Sequence, residues 1–170
     1  YRVRATGVTA EFAGRCNDRW MEADAPAPAT VTAGDPDGPL LFAALPGSTR
    51  AFLIADRTTR AAALVDPRRD QVDRYLAELQ RLGLRLQLVI DTHTHGDHLS
   101  GVKRLKDLLG CSIAMHRSAA VPCVDRPLED GERIRLGDVD LEVWHTPGHT
   151  ADAISLLLPN RLLSGDTLWI

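Results

Sequence analysis

Eight consecutive residues, Asp91-Thr92-His93-Thr94-His95-Gly96-Asp97-His98, contain three of the chain's 6 histidines and two carboxylates. Imidazole and carboxylate are the groups that suit zinc, iron and manganese. If a strand opens into a tight loop here, His93 and His95, as alternate residues, point the same way. Gly96 has no Cβ, which lets the chain bend so that Asp97 and His98 turn toward a second, neighbouring position. Two later stretches add to this set: Thr146-Pro147-Gly148-His149-Thr150 and Ser164-Gly165-Asp166-Thr167. The candidate metal ligands are therefore His93, His95, Asp97, His98, His149 and Asp166, with Asp97 and His98 also the candidate catalytic groups. Asp91 either hydrogen-bonds a ligating histidine or caps the loop. His116 reads as a surface or ligand-orienting group, and His145 as a packing or hydrogen-bonding residue. Asp66 and Asp152 read as turn or strand-end residues, with Asp66 able to line the site from the neighbouring strand.

Positioning these groups requires rigid elements that end where the loops begin. Ala51–Ala55 and Ala61–Val65 are short apolar runs around a polar turn, the pattern of a hairpin. Gln71 to Leu82 carries Val72, Tyr75, Leu76, Leu79 and Leu82 at helical spacing, and Gly83 stands where a left-handed helix end belongs. Leu84 to Ile90 is the next strand, and it delivers the histidine loop. Ser100 reads as the cap of a helix bearing Val102, Leu105, Leu108 and Leu109 and closed by Gly110. Lys103, Arg104 and Lys106 read as the solvated face of that helix. Ser112–Met115 is a strand, and Ile134–Leu136 with Val139–His145 forms a hairpin around Gly137-Asp138 that feeds the His149 loop. Ile154–Leu158 and Arg161–Leu163 pair around Pro159-Asn160, and the second runs into the Asp166 loop. Strands alternating with helices give an α/β (α+β) class.

The chain of 170 residues is long enough for one domain with a sizeable core, and 44% hydrophobic with 25% charged residues is ordinary for a globular protein. A formal charge of −3 gives no reason to expect nucleic acid or an anionic membrane as partner. No apolar run approaches the roughly 20 residues of a membrane span. Cys16, Cys111 and Cys123 are odd in number and widely spaced, so they read as free thiols in a reducing, cytoplasmic setting. Four prolines between Ala23 and Pro39 mark linker chemistry. The expected organisation is an N-terminal extension and linker over 1–39 and one domain over 40–170. No apolar leader follows Tyr1, and the chain does not open on Met, so it reads as part of a longer product.

His93-x-His95-x-Asp97-His98, then Pro147-Gly148-His149-Thr150, then Gly165-Asp166-Thr167 resembles the metallo-β-lactamase superfamily over about residues 40–170. The resemblance implies a four-layer αβ/βα sandwich with the metal site at one edge between two sheets. It implies one metal position at His93, His95 and His149, a second at Asp97 and His98, and Asp166 bridging the two. No histidine follows His149, whereas two-metal members place another well after the Gly-Asp-Thr motif. The fold therefore reads as incomplete at its C-terminal end.

Two branches of the superfamily compete. Asp91-Thr-His-Thr-His-Gly-Asp-His-Leu-Ser-Gly101 resembles the persulfide dioxygenase branch. That resemblance implies mononuclear Fe(II) on His93, His149 and Asp166, with His95, Asp97 and His98 orienting ligands and substrate. The alternative is a glyoxalase II-like thioesterase, in which two Zn²⁺ ions about 3.5–4 Å apart activate a bridging water. Both branches act on small glutathione-linked sulfur compounds, a persulfide or a thioester, and a homodimer is compatible with either. A non-catalytic metal-binding fragment is the third reading.

Overall fold

The computed structural model describes residues 30–31, 38–45 and 51–168. The readings of residues 1–29, with Cys16, fall outside them. The first sheet runs through β1 (Thr30–Val31), β2 (Leu40–Leu45), β3 (Ala51–Asp56), β4 (Ala61–Val65), β5 (Arg85–Ile90), β6 (Ser112–His116) and β7 (Arg126–Leu128), paired in that order. Pairing is antiparallel from β1 to β4 and parallel from β4 to β7. The second sheet has the order β11 (Arg161–Leu163), β10 (Ile154–Leu158), β9 (Val139–His145), β8 (Arg133–Leu136), all antiparallel. Helices α1 (Val72–Leu82) and α2 (Val102–Leu109) make the crossovers between parallel strands. β1 lies inside the stretch read as linker and pairs with β2.

The strand sequences show why the layers stack. In β4, Ala61, Ala63 and Val65 enter the core between the two sheets, while Ala62 and Leu64 enter the core under the helices. Alternate residues face opposite sides of a sheet, so a strand buried on both faces must be apolar throughout. β5 keeps both faces apolar through an irregularity. Ala62 pairs with Leu86 and Ala63 with Leu88, which leaves Gln87 as the extra residue of a bulge. Leu88 and Ile90 then face the second sheet, and Leu86 and Val89 face the helices. Helix α1 buries Val72, Tyr75 and Leu79, and Gly83 ends it with φ 63° and its N–H on the Gln80 carbonyl. Helix α2 buries Val102 and Leu105. The described residues therefore build three of the four expected layers: helices, first sheet, second sheet.

One clasp joins the two sheets at the end where β4 begins. The fully buried Asp56 carboxylate accepts hydrogen bonds from the Thr58 N–H at 2.8 Å, the Thr59 hydroxyl at 2.6 Å and, across from the β8–β9 turn, the Asp138 N–H at 2.9 Å. Gly137 in that turn has φ 63°, and a Cβ there would stand 2.1 Å from Asp56 Oδ2. The candidate ligands lie at the opposite ends of β4 and β9.

Candidate metal centre

The β4, β5, β9 and β11 strands all release their chains at one edge of the sandwich. At the end of β4, Asp66 adopts φ 50° and donates its N–H to the Ile90 carbonyl at 2.8 Å. Its carboxylate accepts the Thr92 N–H at 2.6 Å and the Thr92 hydroxyl at 2.9 Å. Two residues on, Asp152 accepts the Thr94 hydroxyl at 2.6 Å and the Thr94 N–H at 3.0 Å. The Ile154 N–H donates to the Thr92 carbonyl at 2.8 Å. Thr92 and Thr94, which flank His93, are thus tied to opposite sheets, and this sets where His93 and His95 project.

His93 is 2% exposed, and burial, then the neighbouring His95, hold its pKa below the ordinary imidazole value. That favours the neutral form, which is the one that ligates a metal. Thr92 gives its single hydroxyl hydrogen to Asp66, so it can only accept from His93 Nδ1–H at 3.1 Å. That leaves the lone pair on His93 Nε2, a buried atom with no hydrogen-bond partner. An imidazole anchored at Nδ1 with its Nε2 unmatched is the usual arrangement of a metal-ligating histidine.

His93, His149 and Asp166 bring their ligand atoms within 4.8 Å of one another. Asp166 Oδ2 stands 3.8 Å from both His93 Nε2 and His149 Nε2. These gaps are too long for hydrogen bonds, whereas donors sharing an ion at about 2.0–2.2 Å sit roughly 3–4 Å apart. Asp166 occupies a short 3₁₀ turn, Gly165–Thr167. Gly165 has φ 50°, and a Cβ there would meet Thr92 Oγ1 at 2.5 Å, so only glycine brings Asp166 this close to the histidine loop. Two imidazoles, a carboxylate and an unmatched buried nitrogen fit a first-row divalent cation.

The other three candidates form a separate group. His95, Asp97 and His98 also hold ligand atoms within 4.8 Å of one another. His98 Nδ1 lies 2.9 Å from Asp97 Oδ1, and its buried Nε2 has no partner. Asp97 is exposed; burial opposes its charge, but its own backbone N–H and His98 hold its pKa below the usual carboxylate range. His95 Nε2 lies 3.3 Å from Asp66 Oδ1 and 3.8 Å from Asp91 Oδ1. Burial disfavours charge on His95, yet the Asp66 hydrogen bond and the nearby carboxylates outweigh it and raise its pKa. The resemblance grouped His95 with His93 and His149; its ring lies 4.2 Å from that of His93, and with Nε2 facing Asp66 and Asp91 its Nδ1 is the atom left to ligate a metal. Asp91 is buried, and burial and the Asp66 charge push its pKa up to about 7.

Asp66 and Asp152 therefore do more than end strands: each holds one threonine of the histidine loop. Their signal in the sequence was a carboxylate at a strand end beside the motif, which a turn explains equally well. His116 and His145 stack face to face with ring centroids 3.9 Å apart, and His145 Nε2–H donates to the Ala151 carbonyl at 2.9 Å. Cys111 and Cys123 are free thiols. No helix among the described residues is long and apolar enough to cross a membrane.

Comparison with known proteins gives this geometry a context. The profile of the Metallo-beta-lactamase superfamily matches residues 44–170. The human mitochondrial persulfide dioxygenase ETHE1 is 36% identical over 125 residues, covering 72% of this chain and 49% of the relative. A hydroxyacylglutathione hydrolase of Pseudomonas aeruginosa is 37% identical over 122 residues, covering 69% of this chain and 46% of the relative. Among solved structures, ETHE1 from Myxococcus xanthus superposes with a TM-score of 0.73 at 36% identity, over 76% of this chain and 58% of that one. A metallo-beta-lactamase from Staphylococcus aureus gives 0.68 at 26% identity, over 77% of this chain and 44% of that one. The chain spans about half the length of the curated relatives it matches. With residues 44–170 matched and the fold shared with solved members, the chain belongs to the metallo-beta-lactamase superfamily.

Proposed function

We propose that this chain carries the metal-binding part of a persulfide dioxygenase acting on a small glutathione-linked persulfide, with one Fe(II) held by His93, His149 and Asp166. The observation that carries the reading is the convergence of His93, His149 and Asp166, whose ligand atoms lie within 4.8 Å of one another, with the buried His93 Nε2 lacking a hydrogen-bond partner. Two imidazoles and one carboxylate on one face are the ligand set of non-haem iron oxygenases. Iron held there would supply the redox capacity to couple dioxygen to a persulfide sulfur.

The chain's own residues do the rest. Thr92, fixed by Asp66, holds the His93 proton on Nδ1 so that Nε2 stays a ligand. Asp152 fixes Thr94 and with it the path of the loop. Asp97 and His98 stand beside the trio as a hydrogen-bonded pair, placed to orient substrate and accept a proton. In the net reaction the outer sulfur is oxidised to sulfite, dioxygen supplies two of its three oxygens and water the third, and the thiol is released.

A second reading, thioester hydrolysis at two metal ions, draws support from the His95–Asp97–His98 group and the unmatched His98 Nε2. Metal analysis of anaerobically purified protein, paired with oxygen uptake on glutathione persulfide, separates the two. About one iron per chain with oxygen consumption supports the dioxygenase, and His98→Ala should then retain metal with partial activity. Near two metals per chain, no oxygen uptake and hydrolysis of a glutathione thioester would overturn it. Near-complete loss in His98→Ala would point the same way.

A further inference from the structure

His116 ends β6 in the first sheet and His145 ends β9 in the second, at the edge of the sandwich where the candidate ligands gather. Their rings stack between the sheets, with centroids 3.9 Å apart and planes 9° from parallel. Parallel rings aim their in-plane lone pairs side by side rather than at one point, so the pair is not itself a chelating site. Hydrogen bonds fix both tautomers. The Ala151 carbonyl can only accept, so His145 carries its proton on Nε2, 2.9 Å away. The Ser118 N–H donates to His116 Nδ1 at 3.3 Å, and the Ser118 hydroxyl lies 2.7 Å from the same atom, so neutral His116 also holds its proton on Nε2. Burial, then the neighbouring His145, keep the His116 pKa below the ordinary imidazole value; Arg117 acts in the same direction, and Asp152 and Asp130 oppose it. An uncharged His116 stacks on its neighbour without repulsion.

The loop between β9 and β10 carries His149, and Pro147, Gly148 and His149 in it are exposed. The Thr146 N–H closes it on the Ala153 carbonyl at 2.9 Å, and the Gly148 N–H turns it on the Thr150 carbonyl at 3.1 Å. A loop with its tip in solvent takes its position from the bonds at its base. On the limb returning to β10, two side-chain bonds do this. Asp152 accepts the Thr94 N–H and hydroxyl, and the Ala151 carbonyl accepts the His145 ring. His145 is held in turn from three directions: its backbone N–H donates to Asp130 Oδ1 at 2.8 Å, its Nε2–H to Ala151, and one face of its ring lies against His116. Ala151 stands two residues from His149. The stack therefore sets the direction of a bond at the foot of the ligand loop.

We propose that His116 and His145 are a positioning pair for His149: the stack between the sheets orients the His145 ring, the ring holds the Ala151 carbonyl, and the loop so fixed presents His149 to His93 and Asp166. The link to an ion rests on His149 as a ligand, which both readings above share; the effect on the loop does not.

The test has a metal arm and a metal-free arm. In the first, Zn²⁺ is the probe, and its affinity for the chain is read by competition with a chromophoric chelator. His145→Ala, which removes the donor to Ala151, should weaken binding about tenfold, the usual contribution of one hydrogen bond. His145→Gln keeps an N–H at comparable reach and should stay within about threefold of the unsubstituted chain. His116→Ala should weaken binding about fivefold, and His116→Phe, which keeps a flat ring against His145, should restore it. In the second arm, long-range proton–nitrogen NMR correlation on the metal-free chain at about pH 8 should show both rings as Nε2–H tautomers. The His149 backbone amide should shift in both alanine variants and return in the glutamine and phenylalanine variants. The tautomers are read on the unsubstituted chain, so they decide even where an alanine variant does not fold. Zn²⁺ affinity unchanged in the alanine variants while their urea midpoints fall, equal losses in alanine and conservative variants, or an Nδ1–H tautomer at His145 overturns the pair. If the chain binds no Zn²⁺ but the amide responds in this order, the ligand assignment fails and the pair stands. If Zn²⁺ binds tightly and the amide stays put in all four variants, the pair fails and the assignment stands.

Discussion

Replacing Asp91 by asparagine should stabilise the metal-free protein at pH 8 and leave it nearly unchanged at pH 4.5. Asp91 is 4% exposed, and its Oδ1 has no hydrogen-bond partner. Burial first, then the charge of Asp66, push its pKa up from 3.8 to about 7, against a hydrogen bond from Ser100 and the influence of His95. The folded chain therefore holds this proton more tightly than the unfolded chain does. Below pH 3.8 the group is protonated in both states and costs nothing. Between 3.8 and 7 the penalty grows by about 1.4 kcal/mol per pH unit, and above 7 it stays at an upper bound of about 4 kcal/mol. Asp91→Asn keeps the shape and the acceptor for Ser100 while removing the charge. Urea unfolding of chelator-treated protein at pH 4.5, 6 and 8, compared between the two forms, isolates the effect because other titrating groups cancel. A gain of roughly 2–4 kcal/mol at pH 8, falling to about 1 kcal/mol or less at pH 4.5, is expected. A pH-independent difference, or a loss at pH 8, would refute the placement of Asp91 against Asp66. Bound metal should shrink the gain, because a nearby cation favours the carboxylate.

Two further substitutions test the centre and the clasp. His93→Ala removes the anchored Nε2, so metal retained through dialysis should fall at least about tenfold; full metal content would sink the ligand assignment. Gly137→Ala forces a Cβ against Asp56 Oδ2 and Thr59 Oγ1 at φ 63°. It should lower stability by about 3 kcal/mol or more by thermal or urea unfolding, from overpacking and left-handed strain together; a loss below about 1 kcal/mol would show that the clasp is slack.

Much of this arrangement was legible in the chain because local pattern and tertiary role agree. The alternation of Val139–His145, the helical spacing of Val72, Tyr75 and Leu79, and Gly83 and Gly110 at left-handed helix ends all appear where their chemistry directs. Three strands were not seen. β2, Leu40-Leu-Phe-Ala-Ala-Leu45, is buried on both faces and so has no period to read. β7 contains Pro127, which argues against a strand except at a sheet edge, and β7 is that edge. β1 has two residues and exists through its pairing with β2. At the site, residue type identified the six candidates, but not that Asp66, 26 residues before Thr92, would claim both that threonine and His95. Partnership across such a separation depends on the parallel register of β4 and β5, which no short window contains. Arg104 shows the same limit: as part of α2 it reads as a solvated cation, and only the packing of two loops sets it at the rim of a cavity.

The ends of the sandwich are held by different means. At one, the Asp56 carboxylate reaches across to the β8–β9 turn. At the other, His93 leaves the first sheet while His149 and Asp166 leave the second. An ion gripped by all three would be a removable rivet between layers, adding RT ln(1 + [M]/Kd) to their cohesion, about 2.7 kcal/mol at a hundredfold excess over Kd. Metal affinity then becomes a gauge of alignment: any change that lets one sheet slide on the other, however far from a ligand, is felt as a weaker hold on the ion.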